Sequence, residues 1–352
     1  MSKEGRRLQV EWKKPEFSKN MVNKAGKAIA KDDFSKIEKA EAYKVVNNWR
    51  SSHARPLQHL YTCGKQYADN NEGVIVVQRL KRLESILAKL QRFPGMGLET
   101  MQDLGGCRVI VKEIDEVYKA VQAYKNSGMS SKLVKEYDYI ANPKEDGYRS
   151  IHLVYEYAGE MPEYAGLKTE AQIRSTLQHV WATAVEALGL QMKVNIKGGE
   201  GDKKTRRYME LISALFAIEE NTFLSPNVPL SPYGIFFEAM KLDEETNALN
   251  IIKAVQMAPV FSGGMENVRE YYVIRVETQT GDAKVYSYDQ SQFEAATDYC
   301  AEIEKNNHGA FAVLVSAKDA ASLLKAYPNY LTDAKLFVEQ VNMLIKKYSE
   351  PD

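Results

Sequence analysis

A chain of 352 residues with 47 Lys+Arg against 47 Asp+Glu carries no formal net charge, so overall charge gives no case for a nucleic-acid partner. Its 44% hydrophobic and 27% charged residues are an ordinary globular mix, and the length suggests two domains. Cys63, Cys107 and Cys300 are far apart with no CxxC spacing, which excludes a disulfide framework and a cysteine zinc site. The polar N-terminus is no signal peptide, and no apolar run approaches the ~18 residues of a membrane span. The expectation is a cytoplasmic protein without membrane contact.

Residues 3–31 hold nine lysines and arginines against Glu4, Glu11 and Glu16, a basic N-terminal arm. Residues 16–50 read as helical, with Asp32, Asp33 and Ser35 as caps, and a second helix spans about 57–68. A strand from Val74 to Leu80 then runs into a helix over 81–90. Arg79 and Lys81 share strand spacing, while Ser85 and Lys89 lie one helical turn apart. The four suit a phosphate site at a strand-to-helix junction. An amphipathic helix with solvated lysines explains the same pattern.

Asp103 precedes Gly105-Gly106 and a strand, where its carboxylate suits a hard cation such as Mg2+ or simply caps a turn. Arg108 is the odd charge in that strand and requires a partner or a pocket. A helix over 114–126 and a strand over 132–138 lead to the loop Asn142-Pro143-Lys144-Glu145-Asp146-Gly147-Tyr148. Its turn pairs, Lys144 and Tyr148, followed by His152 in the next strand, suit a nucleotide base and its phosphates or a plain hairpin. In the strand 168–175, Glu170, Gln172 and Arg174 line one face, which reads as the floor of a polar site. Helices follow over about 175–188 and 204–223.

Pro226, Pro229 and Pro232 mark a boundary. The predicted division is 1–225 with its basic helical arm, linker helices over 226–265, and a ββαβαα module over 266–352. That module has no polar constellation and reads as regulatory. There are no internal repeats.

The ordered set Arg79/Lys81/Ser85/Lys89, Asp103/Arg108, Lys144/Tyr148/His152 and Glu170/Gln172/Arg174 resembles the synthetase domain of the RelA/SpoT homologues over about residues 45–220. The resemblance implies an α/β (α+β), nucleotidyltransferase-like fold, a mixed sheet flanked by helices. It also implies an ATP pyrophosphokinase. Arg79 and Arg108 would sandwich the adenine of ATP, and Lys81, Ser85 and Lys89 would hold its triphosphate. Asp103 and Glu170 would bind Mg2+, with Glu170 also the base. Tyr148 would stack on the acceptor base, Lys144 and His152 would contact its phosphates or ribose, and Gln172 and Arg174 would support the floor.

The extra C-terminal residues resemble the toxic, fused toxin–antitoxin branch of the family, the CapRel type. That implies a pseudo-zinc-finger module that inhibits the enzyme until a phage protein, such as a capsid protein, is sensed, and the 3′ CCA end of tRNA as acceptor. Tyr327 or Tyr330 would then block the slot between Arg79 and Arg108, unless that loop merely packs between helices. Lys13, Lys14, Lys24, Lys27, Lys203, Lys204, Arg206 and Arg207 would be tRNA contacts. The competing readings are an alarmone synthetase that acts on free GDP/GTP or adenine nucleotides, and a non-catalytic nucleotide sensor.

Overall fold

Alternation along the central strands decides which side of the sheet is wet. Cys107, Val109 and Val111, then Ile151, Leu153 and Tyr155, then Ala171 and Ile173 form apolar rows, while Arg108, His152, Glu170, Gln172 and Arg174 fall on the opposite side. The computed structural model describes residues 12–191, 196, 199, 201–229, 231–246, 248–249, 252, 271–277, 283–306, 310–316 and 334–349.

It forms β1 (Ile75–Leu80), β2 (Gly105–Val111), β3 (Lys132–Asp138), β4 (Ile151–Glu156) and β5 (Lys168–Ser175) in the order β3-β4-β5-β2-β1. β2 and β5 run parallel and the other neighbours antiparallel. The fold is the expected mixed sheet flanked by helices. Helices α3 (Ala54–Asp69) and α5 (Ile114–Lys125) cover the apolar rows through Leu57, Leu60, Val117, Val121 and Tyr124. A face buried in this way fixes strand register, because a slip of one residue would turn Arg108 and Glu170 into that core.

The helical N-terminal tract is two helices, α1 (Lys19–Lys31) and α2 (Lys39–Ser52), and the second is capped at Glu38 and not at Asp32, Asp33 or Ser35. Asp32 ends α1 in the left-handed region at φ 51°, a conformation that stops a helix. These helices and α4 (Leu83–Arg92) bury Val22, Val46, Trp49, Ile86 and Leu98 in a core of their own. The arm residue Trp12 is tied to this part of the molecule, since its carbonyl accepts a bond of 2.9 Å from the Tyr164 hydroxyl.

A further core lies among α6 (Thr176–Gln191), α7 (Lys203–Glu219), α8 (Pro232–Thr246) and the last helix, α10 (Ala334–Ser349). Trp181 donates to the Met209 carbonyl at 2.7 Å, and the Phe216 and Phe337 rings meet edge-on at 6.0 Å. The predicted division at 225/226 therefore falls in a connection whose flanking helices share one core. Between α8 and α10 come β6 (Tyr271–Glu277), β7 (Ala283–Tyr288), α9 (Phe293–Asn306) and β8 (Ala310–Ser316), in the expected order. β8 pairs antiparallel with β6 on one side and with β1 on the other, at Gln78–Ser316, so the sheet continues to eight strands. The helix expected at 318–325 lies outside the described residues.

Phe337 is fully buried. Phe337→Ala is expected to cost about 3–5 kcal/mol and to lower the thermal midpoint of the whole chain. Calorimetry that shows an unchanged midpoint would separate α10 from the α6–α7 core.

Candidate active site

The polar side of the sheet is built by register. Arg79 lies opposite Gly106, and Gly106 lies beside Glu170; Val77 faces Arg108, Arg108 lies beside Gln172, and Gln172 faces His152. Arg79, Arg108, Glu170, Gln172 and His152 are therefore brought to one face. A Cβ at Gly106 would meet nothing closer than the Arg79 carbonyl at 4.0 Å, so the missing side chain opens a hollow between Arg79 and Glu170. The resulting cleft encloses about 490 Å³ of open space and is lined by Arg79, Lys81, Asp103, Arg108, Glu170 and Gln172 among others. Arg79 and Arg108 stand diagonally on neighbouring strands, roughly 7–8 Å apart at the backbone.

At one end of the cleft, Lys81 and Lys89 each bond a different oxygen of Asp103 at 2.9 Å. Burial pushes the Asp103 carboxyl up, and the two ammonium groups overcome it and hold the group well below the usual range. Ser85, half-buried in the first turn of α4, does not line the cleft.

The middle of the site is a line of hydrogen bonds. Arg174 donates to the Gln172 Oε1 at 2.6 Å, and Gln172 donates to the Glu170 Oε1 at 2.6 Å. The other oxygen, Oε2, lies 3.1 Å from His152 Nδ1, and His152 Nε2 lies 2.8 Å from the Tyr148 hydroxyl. Burial lowers the His152 pKa, and the Glu170 charge outweighs it and raises the group to about 9. Burial likewise works against the Glu170 carboxylate, and His152 outweighs it and lowers that pKa. Both groups are charged at neutral pH, so both imidazole nitrogens donate and Glu170 is the common acceptor of the line. Asp103 also raises the Glu170 pKa by like-charge repulsion, and both carboxylates line the cleft.

Tyr148 belongs to an aromatic group that sequence reading missed in part. Its ring meets Tyr139 edge-on at 6.1 Å, and Tyr139 lies parallel to Tyr137 at 5.7 Å. Lys144 stands over Tyr139 and Tyr148 at 4.3 and 5.0 Å from the ring centres, and Arg174 stands over Tyr148 at 5.8 Å. Tyr137 was legible in principle, because period 2 from Tyr139 puts both on one face.

A buried anchor holds this loop. Arg149 donates to the carbonyls of Gly147, Ser213 and Phe223 at 3.0–3.2 Å and to the Ser213 hydroxyl. Burial lowers its pKa to about 10. Gly147 sits at φ +86°, and a Cβ there would lie 2.9 Å from Ser213 Cβ and 3.2 Å from Glu210 Cα. Only glycine fits between loop and α7 in that conformation.

Among the described residues no group of three or more His, Cys, Asp or Glu stands ready for a metal. Asp103 and Glu170 do fit Mg2+, which takes one or two carboxylates and fills its remaining positions with waters and phosphate oxygens. Tyr327 and Tyr330 lie outside the described residues. Of the basic residues, Lys24 and Lys27 are exposed, whereas Lys14 pairs with Glu163, Lys204 with Glu245, and Arg207 with Glu210 and Glu238.

The family model described as "Region found in RelA / SpoT proteins" matches residues 78–197, the span that carries this cleft. The chain is 34% identical over 137 residues to the GTP pyrophosphokinase YjbM of Bacillus subtilis, which covers 37% of this chain and 64% of that protein. It is 36% identical over 114 residues to the GTP pyrophosphokinase YwaC of the same organism, which covers 30% of this chain and 52% of that protein. The chain thus spans between half and two thirds of the length of these relatives. Among solved structures, small alarmone synthetase 1 of Bacillus subtilis bound to its product pppGpp aligns with a TM-score of 0.42 and 26% identity, over 52% of this chain and 94% of that one.

Gly147→Ala is expected to destabilise the chain by about 1–3 kcal/mol through backbone strain alone, with added cost from the contact to Ser213. It is also expected to loosen Tyr148, read as a change in tyrosine fluorescence. A variant with the stability and spectrum of the parent would contradict the close approach.

Proposed function

We propose that the chain is an ATP-dependent pyrophosphokinase that moves the β,γ-pyrophosphate of ATP to a ribose 3′-hydroxyl and releases AMP. The observation that carries this reading is the position of Glu170. It is an ionised carboxylate at the centre of a line that joins an aromatic, cationic loop to a cleft lined by Arg79, Arg108 and Lys81. Transfer of this kind is largely positioning and charge neutralisation, and the cleft supplies both.

In this reading Arg79 and Arg108 hold the adenine, and Lys81 and Lys89 the phosphates, with Ser85 one turn away. Mg2+ on Asp103 and Glu170 would neutralise phosphate charge. Tyr148 stacks on the acceptor base, and Lys144 and His152 meet its phosphates. Contact with an acceptor phosphate draws His152 off Glu170. The carboxylate then regains basicity and is free to take the proton of the attacking hydroxyl. The 3′ oxygen bonds to the β-phosphorus, and the bond from that phosphorus to the bridging oxygen of AMP breaks. Gln172 and Arg174 keep Glu170 aimed.

The finer reading is that the acceptor is the 3′ CCA end of tRNA and that transfer stops translation. The C-terminal module would hold the enzyme in check until a phage protein, such as a capsid protein, engages it, as in the toxic CapRel type. In support, β8 pairs with the residue beside Arg79, so the module abuts the strand that bears an adenine ligand. Lys13, Lys14, Lys204 and Arg207 pair with carboxylates of the chain, whereas Lys24, Lys27, Lys203 and the loop cation Lys144 are exposed candidates for tRNA contact. A second reading, (p)ppGpp or (p)ppApp synthesis from free nucleotides, is favoured by the names of the relatives, which are GTP pyrophosphokinases.

Incubation with γ-labelled ATP and either deacylated tRNA or GDP decides between them. Label is expected in the tRNA band, and Glu170→Gln is expected to lower transfer by about 10²–10⁴-fold. Label in a guanosine product favours the alarmone reading. A Glu170→Gln variant of full activity would contradict a pyrophosphokinase that works through this carboxylate.

A further inference from the structure

The aromatic group beside Tyr148 extends further than one base requires. Tyr137 lies directly opposite His152 across β3 and β4, so its side chain belongs to the same sheet face as the cleft. Tyr139 continues that face, 5.2 Å edge-on from His152, and its ring is parallel to that of Tyr137 within 3°. Both tyrosines are partly exposed. β3 is the terminal strand of the sheet, so the row Tyr148, Tyr139, Tyr137 runs from the centre of the site to an open edge.

Two cations accompany the row. Exposed Lys144 stands over Tyr139 and Tyr148. Lys135, also exposed, falls on the same face through its register with Val154 and Glu170. Lys125 and Glu136 pair on the opposite side of the strand and do not neutralise it.

We infer that Tyr137 and Tyr139 form a second stacking platform, for the base that precedes the reacting nucleotide, so that the site takes the single-stranded 3′ end of a polynucleotide. This rests on the reading of the chain as a 3′-hydroxyl pyrophosphokinase. A free mononucleotide brings one base and leaves the outer rings unused. A single strand brings successive π-faces with a phosphate between them, and rings interleaved with lysines are what bind such a strand without reading its sequence. The reacting base lies on Tyr148. The chain then turns along β3, with Lys144 at the intervening phosphate, the preceding base on the outer face of Tyr137, which Tyr139 backs, and Lys135 at the phosphate beyond.

The test compares two acceptors with the same 3′ nucleoside, a short ribo-oligonucleotide that ends in CCA and adenosine 5′-monophosphate, on the full chain with ATP. The wild type is expected to prefer the oligonucleotide. In Tyr137→Ala the ratio of the two kcat/KM values is expected to fall about tenfold, through KM, and Tyr137→Phe is expected to restore it because the ring is what matters. A ratio unchanged in Tyr137→Ala, or one that Tyr137→Phe fails to restore, would overturn the proposal. Fluorescence anisotropy of the labelled oligonucleotide with the same variants separates this inference from the reading beneath it. If neither acceptor is phosphorylated but Tyr137→Ala still weakens binding about tenfold, the platform stands independently of the transfer reading. Equal binding by wild type and Tyr137→Ala removes the platform whatever the activity.

Discussion

The Glu170 carboxylate is the point on which the site depends. It is buried, it accepts from Gln172 on one oxygen and pairs with His152 on the other, and it lies within the field of Asp103. A buried carboxylate without partners would take up a proton. Here the partners keep it ionised, and each partner is held in turn. Arg174 fixes the amide of Gln172, and Tyr148 fixes the imidazole of His152. Loss of one member leaves a buried charge unpaired, so the line acts as a unit more than as separate contacts.

The fold supplies this line through register. The parallel pairing of β2 and β5 puts Gly106 beside Glu170 and Arg108 beside Gln172, and the antiparallel pairing of β4 with β5 puts His152 across from Gln172. The apolar rows under α3 and α5 lock those registers, so the position of the polar groups follows from the burial of Val109, Leu153 and Ile173 on the other face. The loop around Tyr148 is fixed separately. It hangs from α7 by the buried Arg149 guanidinium and by the close approach of Gly147 to Ser213.

Strand alternation carried most of this into the sequence. Glu170, Gln172 and Arg174 read as one polar face because period 2 is rigid, and the lysines around Asp103 were visible as a strand-to-helix cluster. Contacts between distant segments were not visible. Nothing local told that Lys81 and Lys89 would both close on Asp103, or that Arg149 would be an internal anchor and not a ligand. Helical packing was harder still. The prolines at 226, 229 and 232 look like a boundary in the sequence, yet Phe216 of α7 and Phe337 of α10 meet in one core. Side-chain complementarity over more than a hundred residues leaves no local pattern. In the N-terminal tract Asp32 was legible as a cap, but it ends the first helix in a left-handed conformation and does not start the second.

The charge state of His152 reports most directly on this account. Its imidazole is raised to about 9 by Glu170 against the opposing effect of burial. The ion pair stabilises the fold fully below the ordinary histidine value of about 6.5, and that contribution is lost as pH rises through about 9. Nitrogen NMR of labelled histidine, followed across pH, measures this. The account predicts an imidazolium at pH 7 that titrates near 9, and a clear fall in Glu170→Gln, where Tyr148 alone still opposes burial. A neutral His152 imidazole at pH 7 in the wild type, or a titration indifferent to Glu170→Gln, would contradict it.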